Sequence, residues 1–397
     1  MLGKWSFVVA FAGLCLTGVA QGQAKYDPGA SDTTIRVGNI VPYSGPASAY
    51  GIIGKGLEAY FKMINDAGGI NGRKLELISL DDGYNPTKTL ALTRRLVEQD
   101  KVLLMLGVLG TPTNSATREY HKQRKVPQLF VGTGATKFND PVNYPYTIGW
   151  QPTYQAEERV FVRHLLKTNP AAKIAILYQN DDYGKDHLEG LKKALGERAQ
   201  SMIVAEASYE VTDPTIATQI VALKESGADT FFNIATPKFA AQAIKKIAEI
   251  GWKPTHYLNS VANYVQSVMI PAGPENGIGI LTAFYLRDPG DPQWHDTKEY
   301  KDWAAWMKKY YPDGELNNNL NVWTYTFAQL FVQVIKQAGD NLTRENIMKQ
   351  AANLDMDLPM LLPGIRAKTS PSDYAVVEDD RMARWDGKQW VLLGGDD

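Results

Sequence analysis

Cysteine is all but missing: the 397 residues hold one, Cys15. That excludes a disulfide-stapled scaffold and, beyond residue 15, any thiolate nucleophile or thiolate zinc site. Neither sign of charge is in excess, since 42 Lys and Arg face 43 Asp and Glu. Without a basic field to hold a phosphate backbone, nucleic acid is not expected as a partner. Histidine is sparse. His121, His164, His187, His256 and His295 are scattered, and none forms HExxH or a close pair with a carboxylate at ligand spacing, so no metal site is expected. No GxSxG surrounds a serine, and no side chain stands out as a base or nucleophile. Nucleotide loops fail as well. Gly132-Thr133-Gly134 starts like a dinucleotide fingerprint, but its third glycine would be Lys137. Gly54-Lys55 is followed by Gly56, and Ala49 stands where a phosphate loop needs glycine. No cofactor and no enzyme activity are expected.

Long apolar runs are missing too, except at the start. Lys4 precedes an apolar stretch over residues 5–19, followed by the small residues Ala20 and Ala24. This is shorter than the about 20 residues of a membrane span and reads as a secretory signal peptide, residues 1–24. Leu14 is too large for lipoprotein processing at Cys15. The mature chain is therefore expected in a periplasm, without a thiol.

What is present is an alternation of strand-like and helix-like runs. "TIRVGNIVPY", a helix over 54–67, "KLELISLDD", a helix over 87–99, "VLLMLGVLG", a helix over 114–124 and "VPQLFV" form one series. A second begins after Gln151, with a helix over 154–166, "KIAILYQN", a helix from Tyr183, "SMIVAEASY", a helix from Pro214 and "DTFFNIA". This rhythm predicts an α/β fold of two doubly wound parallel-sheet lobes. The length, large for one core, agrees. Helices are also predicted over 295–311 and 321–338, and "MARWDGKQWVLL" reads as a hairpin turning at Asp386-Gly387. Leu188, Leu191 and Leu195, like Phe239, Ala243, Ile247 and Ile250, fall on single helix faces and read as packing.

Several predicted strands end in small polar residues just before a helix: Ser44-Gly45, Gly110-Thr111-Pro112-Thr113, and Thr133-Gly134-Ala135-Thr136. In a doubly wound sheet these positions line the ligand crevice, where helix N–H groups and hydroxyls can hold an anion. Simple N-capping is the alternative for each.

The stretches "IVPYSGPASAYG", "AGGINGRKLELISLDDGYNP", "QNDDYGKD" and "GADTFFNI", in that order, resemble the branched-chain amino acid (Leu/Ile/Val-binding) group of periplasmic solute-binding proteins of ABC uptake systems. The resemblance implies a type I periplasmic binding fold, a Venus flytrap whose lobes are joined by three crossovers, near Gln151, Leu281 and Asp355. Residues 33–151 plus 282–355 would form the first lobe, and 152–281 plus 356–397 the second. It also implies a monomer that delivers a small molecule to an ABC permease and ATPase.

Family carboxylate contacts fall on Gly110 or Thr111, on Gly134 and on Thr136, and the tyrosine that crosses the cleft falls on Tyr183. The acids that hold an ammonium in the family are replaced by Pro152 and by an acid-free stretch over 257–264. A buried ammonium would lack a partner there, so the expected ligand is an acid without an amine. Trp150, Tyr154, Tyr183, Phe239 and Tyr264, with Tyr43 and Phe284 beside them, supply ring surfaces; Ser44, Thr133 and Asn259 complete the expected binding set. The chain looks like the subgroup that takes benzoate, hydroxybenzoate or hydroxycinnamate. An amino-acid or amide binder, or a ligand-sensing module of the same fold, are the alternative readings.

Overall fold

The Val-, Ile- and Leu-rich runs collect into two separate sheets in the computed structural model, which describes residues 25–394. The expected signal peptide lies outside the described residues. The smaller sheet runs Lys74–Asp81, Thr34–Val41, Leu104–Leu106, Gln128–Leu129 in space. All neighbours are parallel, and the first two pair from Thr34↔Lys74 to Val41↔Asp81 without a slip. Because the first strand of this sheet in chain order lies inside it, winding reverses beside it, between Thr34–Val41 and Leu104–Leu106. A crevice opens at the carboxyl ends of such a pair.

The run "VLLMLGVLG" yields three strand residues rather than nine. Gly107 turns the backbone to φ +60 and lets the Phe327 ring approach: a Cβ there would lie 2.8 Å from it. Beyond the turn, only an isolated bridge joins Leu109 to Gly132.

The larger sheet has seven strands in the order Trp390–Leu392, Arg381–Trp385, Leu281–Phe284, Thr255–Leu258, Thr230–Ile234, Ile174–Gln179, Ile203–Tyr209. The last five are parallel; the hairpin adds the antiparallel pair at one edge. Winding reverses between Ile174–Gln179 and Thr230–Ile234. Leu281–Phe284 pairs with Tyr257 and with residues 381–384, so the larger sheet continues through Phe284.

The expected helices form, with ends shifted by a few residues. Thr153 caps the helix Tyr154–Thr168 and Asp181 caps Asp182–Leu195. The helix Asn319–Ala338 packs on Ile52–Asp66: Phe61 stacks on Phe331 at 5.4 Å, and Gly56 admits Thr324 to close contact. Among the described residues no helix is long and apolar enough to cross a membrane.

Candidate ligand-binding site

The two winding reversals face each other across a cavity. On the small-sheet side the backbone opens at Gly110, whose φ is +101; a Cβ there would lie 2.6 Å from the Tyr84 ring. The helix Thr111–Arg124 starts here without a side-chain cap, and since Pro112 has no N–H, Thr111 is the first-turn residue that can offer one at the cavity lining. Thr111 Oγ1 is 2.7 Å from Thr133 Oγ1, which in turn lies 3.3 Å from the Tyr154 hydroxyl. The Thr133 hydroxyl has a single hydrogen, shared between Tyr154 and Thr111; when it turns from Tyr154 to Thr111, the Thr111 hydrogen is free for a ligand. Tyr84 adds its ring from a left-handed conformation, φ +63, with its N–H held by Asp82 at 2.8 Å. Non-glycine residues pay for that geometry, and it gathers at functional sites.

From the large-sheet side, Asp181 accepts the N–H groups of Tyr183 and Gly184 at 2.9 and 3.2 Å and so fixes Tyr183 at the helix start. The Tyr183 hydroxyl is buried and has no hydrogen-bond partner among the described residues. Thr236 follows the strand Thr230–Ile234 and is held by Gln179 and Tyr209 at 3.0 Å each. Tyr264 meets Tyr50 edge-on at 6.1 Å. The lining includes Gly110, Thr111, Tyr154, Tyr183 and Tyr264 of the expected set, together with Tyr50, Tyr84, Gln151, Thr236 and Trp323, which sequence reasoning did not single out. No Asp, Glu, Lys, Arg or His belongs to it. Burial pushes the Tyr154 phenol up to about 12, and those of Tyr50, Tyr84, Tyr183 and Tyr264 also upward. All stay protonated at neutral pH and can donate.

The two sides are in contact. The Tyr50 hydroxyl donates to Val261 O at 2.7 Å, Ser115 donates to Asp182 at 2.9 Å, and Lys137 pairs with Asp182. These contacts describe a closed cleft.

Other expected site residues stand elsewhere. Thr136 directs both its N–H and its hydroxyl to Asp186, at 2.9 and 3.2 Å, because the helix carrying Asp186 closes against that loop. Ser44 is exposed and donates to Asp81 at 2.6 Å, bracing the ends of two paired strands. Gly134 serves close packing: a Cβ would lie 2.5 Å from Pro152 O. Thr133 sits behind Thr111. Trp150 is fully buried against Tyr285, Trp323 and Phe327, one layer behind the cavity wall. Phe239 packs on Tyr209 at 4.4 Å in the core. Asn259 spends its amide N–H groups on Asn233 O and Ala235 O. Tyr43 is tied to Ser79 at 2.6 Å, and Phe284 lines a neighbouring chamber.

Three buried ion-forming groups, Glu157, Glu158 and His187, lie just behind the wall. Glu157 accepts the Ser260 N–H at 3.0 Å, and burial pushes its carboxyl up to about 7. Glu158 holds His187 at 2.7 Å, and the His187 ring stacks on Tyr154 at 4.2 Å. Burial lowers His187 to about 3 and raises Glu158, which keeps both uncharged. The only hint of them in the sequence is the "QAEE" opening a helix, a pattern shared with many solvated first turns. Among the described residues no group of three or more His, Cys, Asp and Glu is placed to hold a metal ion.

Residues 34–389 match the model of a family described as periplasmic binding protein. The chain is 26% identical over 339 residues to the Leu/Ile/Val-binding protein homolog 1 of Brucella suis biovar 1, covering 83% of this chain and 85% of that one. A branched-chain amino acid ABC transporter protein from Thermus thermophilus, solved with bound valine, superposes with a TM-score of 0.81 at 18% identity, over 92% of this chain and 96% of the other. A solute-binding protein of an R. palustris ABC transporter, in complex with 4-hydroxybenzoate, superposes with a TM-score of 0.76 at 20% identity, over 90% and 95%. At these identities the two structures share the fold.

Proposed function

The chain belongs to the periplasmic binding protein family, and from that premise we propose that it is the exported receptor of an ABC uptake system. It holds a small hydrophobic, aromatic monocarboxylate between two lobes and presents it to a membrane permease driven by an ATPase. The lobes meet through three passages of the chain, near Gln151, after Phe284 and near Asp355.

The observation that carries the ligand class is the cavity lining. Five tyrosines and one tryptophan surround it, and neither an acid nor a base is among them. An amino acid would bring an ammonium with no carboxylate to meet it, which is costly when buried. A carboxylate is better served, since the Thr111 and Tyr183 hydroxyls and the uncapped first turn of Thr111–Arg124 are all donors. The rings then supply flat apolar surface to an aryl group. A 4-hydroxybenzoate complex on the same fold supports this class, while the valine complex shows that the fold also serves amino acids.

Ligand that binds only the folded state adds about RT ln(1 + [L]/Kd) of stability, roughly 2.7 kcal/mol at a hundredfold excess over Kd. Thermal melts with benzoate, hydroxybenzoates and hydroxycinnamates should therefore move upward, and those with leucine or valine should not. The reverse pattern would remove the plain-acid reading and restore an amino-acid receptor.

A further inference from the structure

A second chamber shares Val261, Tyr264 and Trp323 with the first. Its polar walls are Ser260, Asn263, Tyr285 and Asn319. Each amide there gives one N–H to a neighbour. Asn263 Nδ2 donates to Ala283 O at 3.2 Å, Asn319 Nδ2 to Asn263 Oδ1 at 3.1 Å, and Trp323 Nε1 to Gln151 Oε1 at 3.2 Å. The Ser260 N–H and hydroxyl both turn to Glu157. This chain also settles the amide orientations: the Ala283 carbonyl requires the nitrogen of Asn263, whose oxygen then requires the nitrogen of Asn319.

What is left over is an acceptor. Asn319 Oδ1 is buried and has no partner among the described residues. Tyr285 also feels Asp380, whose carboxyl oxygens are buried and without a partner among the described residues and which burial pushes toward its protonated form. Buried oxygens of this kind are stabilised by whatever brings them a proton to share.

We infer that this chamber is the far half of the ligand site, and that it selects acids carrying a hydrogen-bond donor at the end opposite the carboxylate. The carboxylate lies with Thr111 and Tyr183, the ring passes between Tyr264 and Trp323, and a para hydroxyl or amino group reaches Asn319. The inference rests on reading the first chamber as the carboxylate holder.

Calorimetric titration with four para-substituted benzoates tests it. The 4-hydroxy and 4-amino acids carry donors, the 4-methyl acid is of similar size without one, and the 4-methoxy acid offers only an acceptor. The donors should bind at least about tenfold tighter than the methyl and methoxy acids. Asn319→Leu should abolish that difference, so that the 4-hydroxy and 4-amino acids lose at least about tenfold more affinity than 4-methylbenzoate does. If the wild-type protein binds all four alike, or prefers methoxy to hydroxyl, the donor subsite is overturned and the carboxylate site stands. If none of the four binds, the carboxylate reading falls with it. The wild-type series decides the matter even if Asn319→Leu does not fold.

Discussion

Tyr183 carries a buried hydroxyl with no partner, and such a group costs free energy until a ligand completes it. Thr111, tied to Thr133 on the opposite wall, faces the same space. Tyr183→Phe and Thr111→Val should therefore each weaken acid binding by about 1.5–3 kcal/mol, about ten- to 150-fold in Kd. Thr136→Val should leave affinity unchanged, because its donors go to Asp186; titration of the three variants separates these outcomes. Glu157 gives a pH signature. Its folded carboxyl is raised by burial to about 7, so between about 4.5 and 7 the folded state holds a proton that the unfolded state has released. Stability from this group falls as pH rises through that window and is fully lost above it. Glu157→Gln removes the loss and keeps an acceptor for Ser260. Its melting temperature relative to wild type should be higher at pH 8 than at pH 5, and an offset equal at both would contradict the assignment.

At the scale of the element, the start of the helix Thr111–Arg124 depends on one residue without a side chain. Gly110 combines φ +101 with a Cβ position 2.6 Å from the Tyr84 ring. Gly72 has a comparable φ, +80, but nothing within 4 Å of its Cβ position. Gly72→Ala should cost only the left-handed strain, about 1–2 kcal/mol. Gly110→Ala should cost more, by the displacement of Tyr84, and should weaken ligand binding as well. Denaturant unfolding of both variants checks the difference; equal losses would mean that Tyr84 moves aside freely.

At the scale of the whole molecule, polar links run across the closed cleft, and Tyr50 supplies one of them. Tyr50→Phe keeps the ring that faces Tyr264 and deletes the bond to Val261 O. Losing one hydrogen bond of about 0.5–1.5 kcal/mol from the closed state alone should lower ligand affinity about two- to tenfold. The radius of gyration without ligand, measured by small-angle scattering, should rise. Unchanged scattering and affinity together would show that this link does not govern closure.

The two-series alternation, the helix starts and the strand ends at Gly110 and Thr111 were legible in the sequence, because period, capping and small-residue punctuation act over a few neighbours. Tyr183 was singled out only through the family resemblance of "QNDDYGKD"; the cap at Asp181 fixes where its helix starts. The absence of acids at the family's ammonium positions was legible, and the cavity lining holds none, although Glu157 stands behind it unseen by any local pattern. Tertiary structure alone decided which polar group meets which partner. Thr136 and Ser44 look like Thr111 in the sequence, yet Asp186 and Asp81 take up their donors. Tyr50, Tyr84 and Trp323 reach the cavity from segments far apart in the chain. Strands and helices follow from short-range periodicity, whereas a binding site is the meeting of side chains whose separation only packing sets.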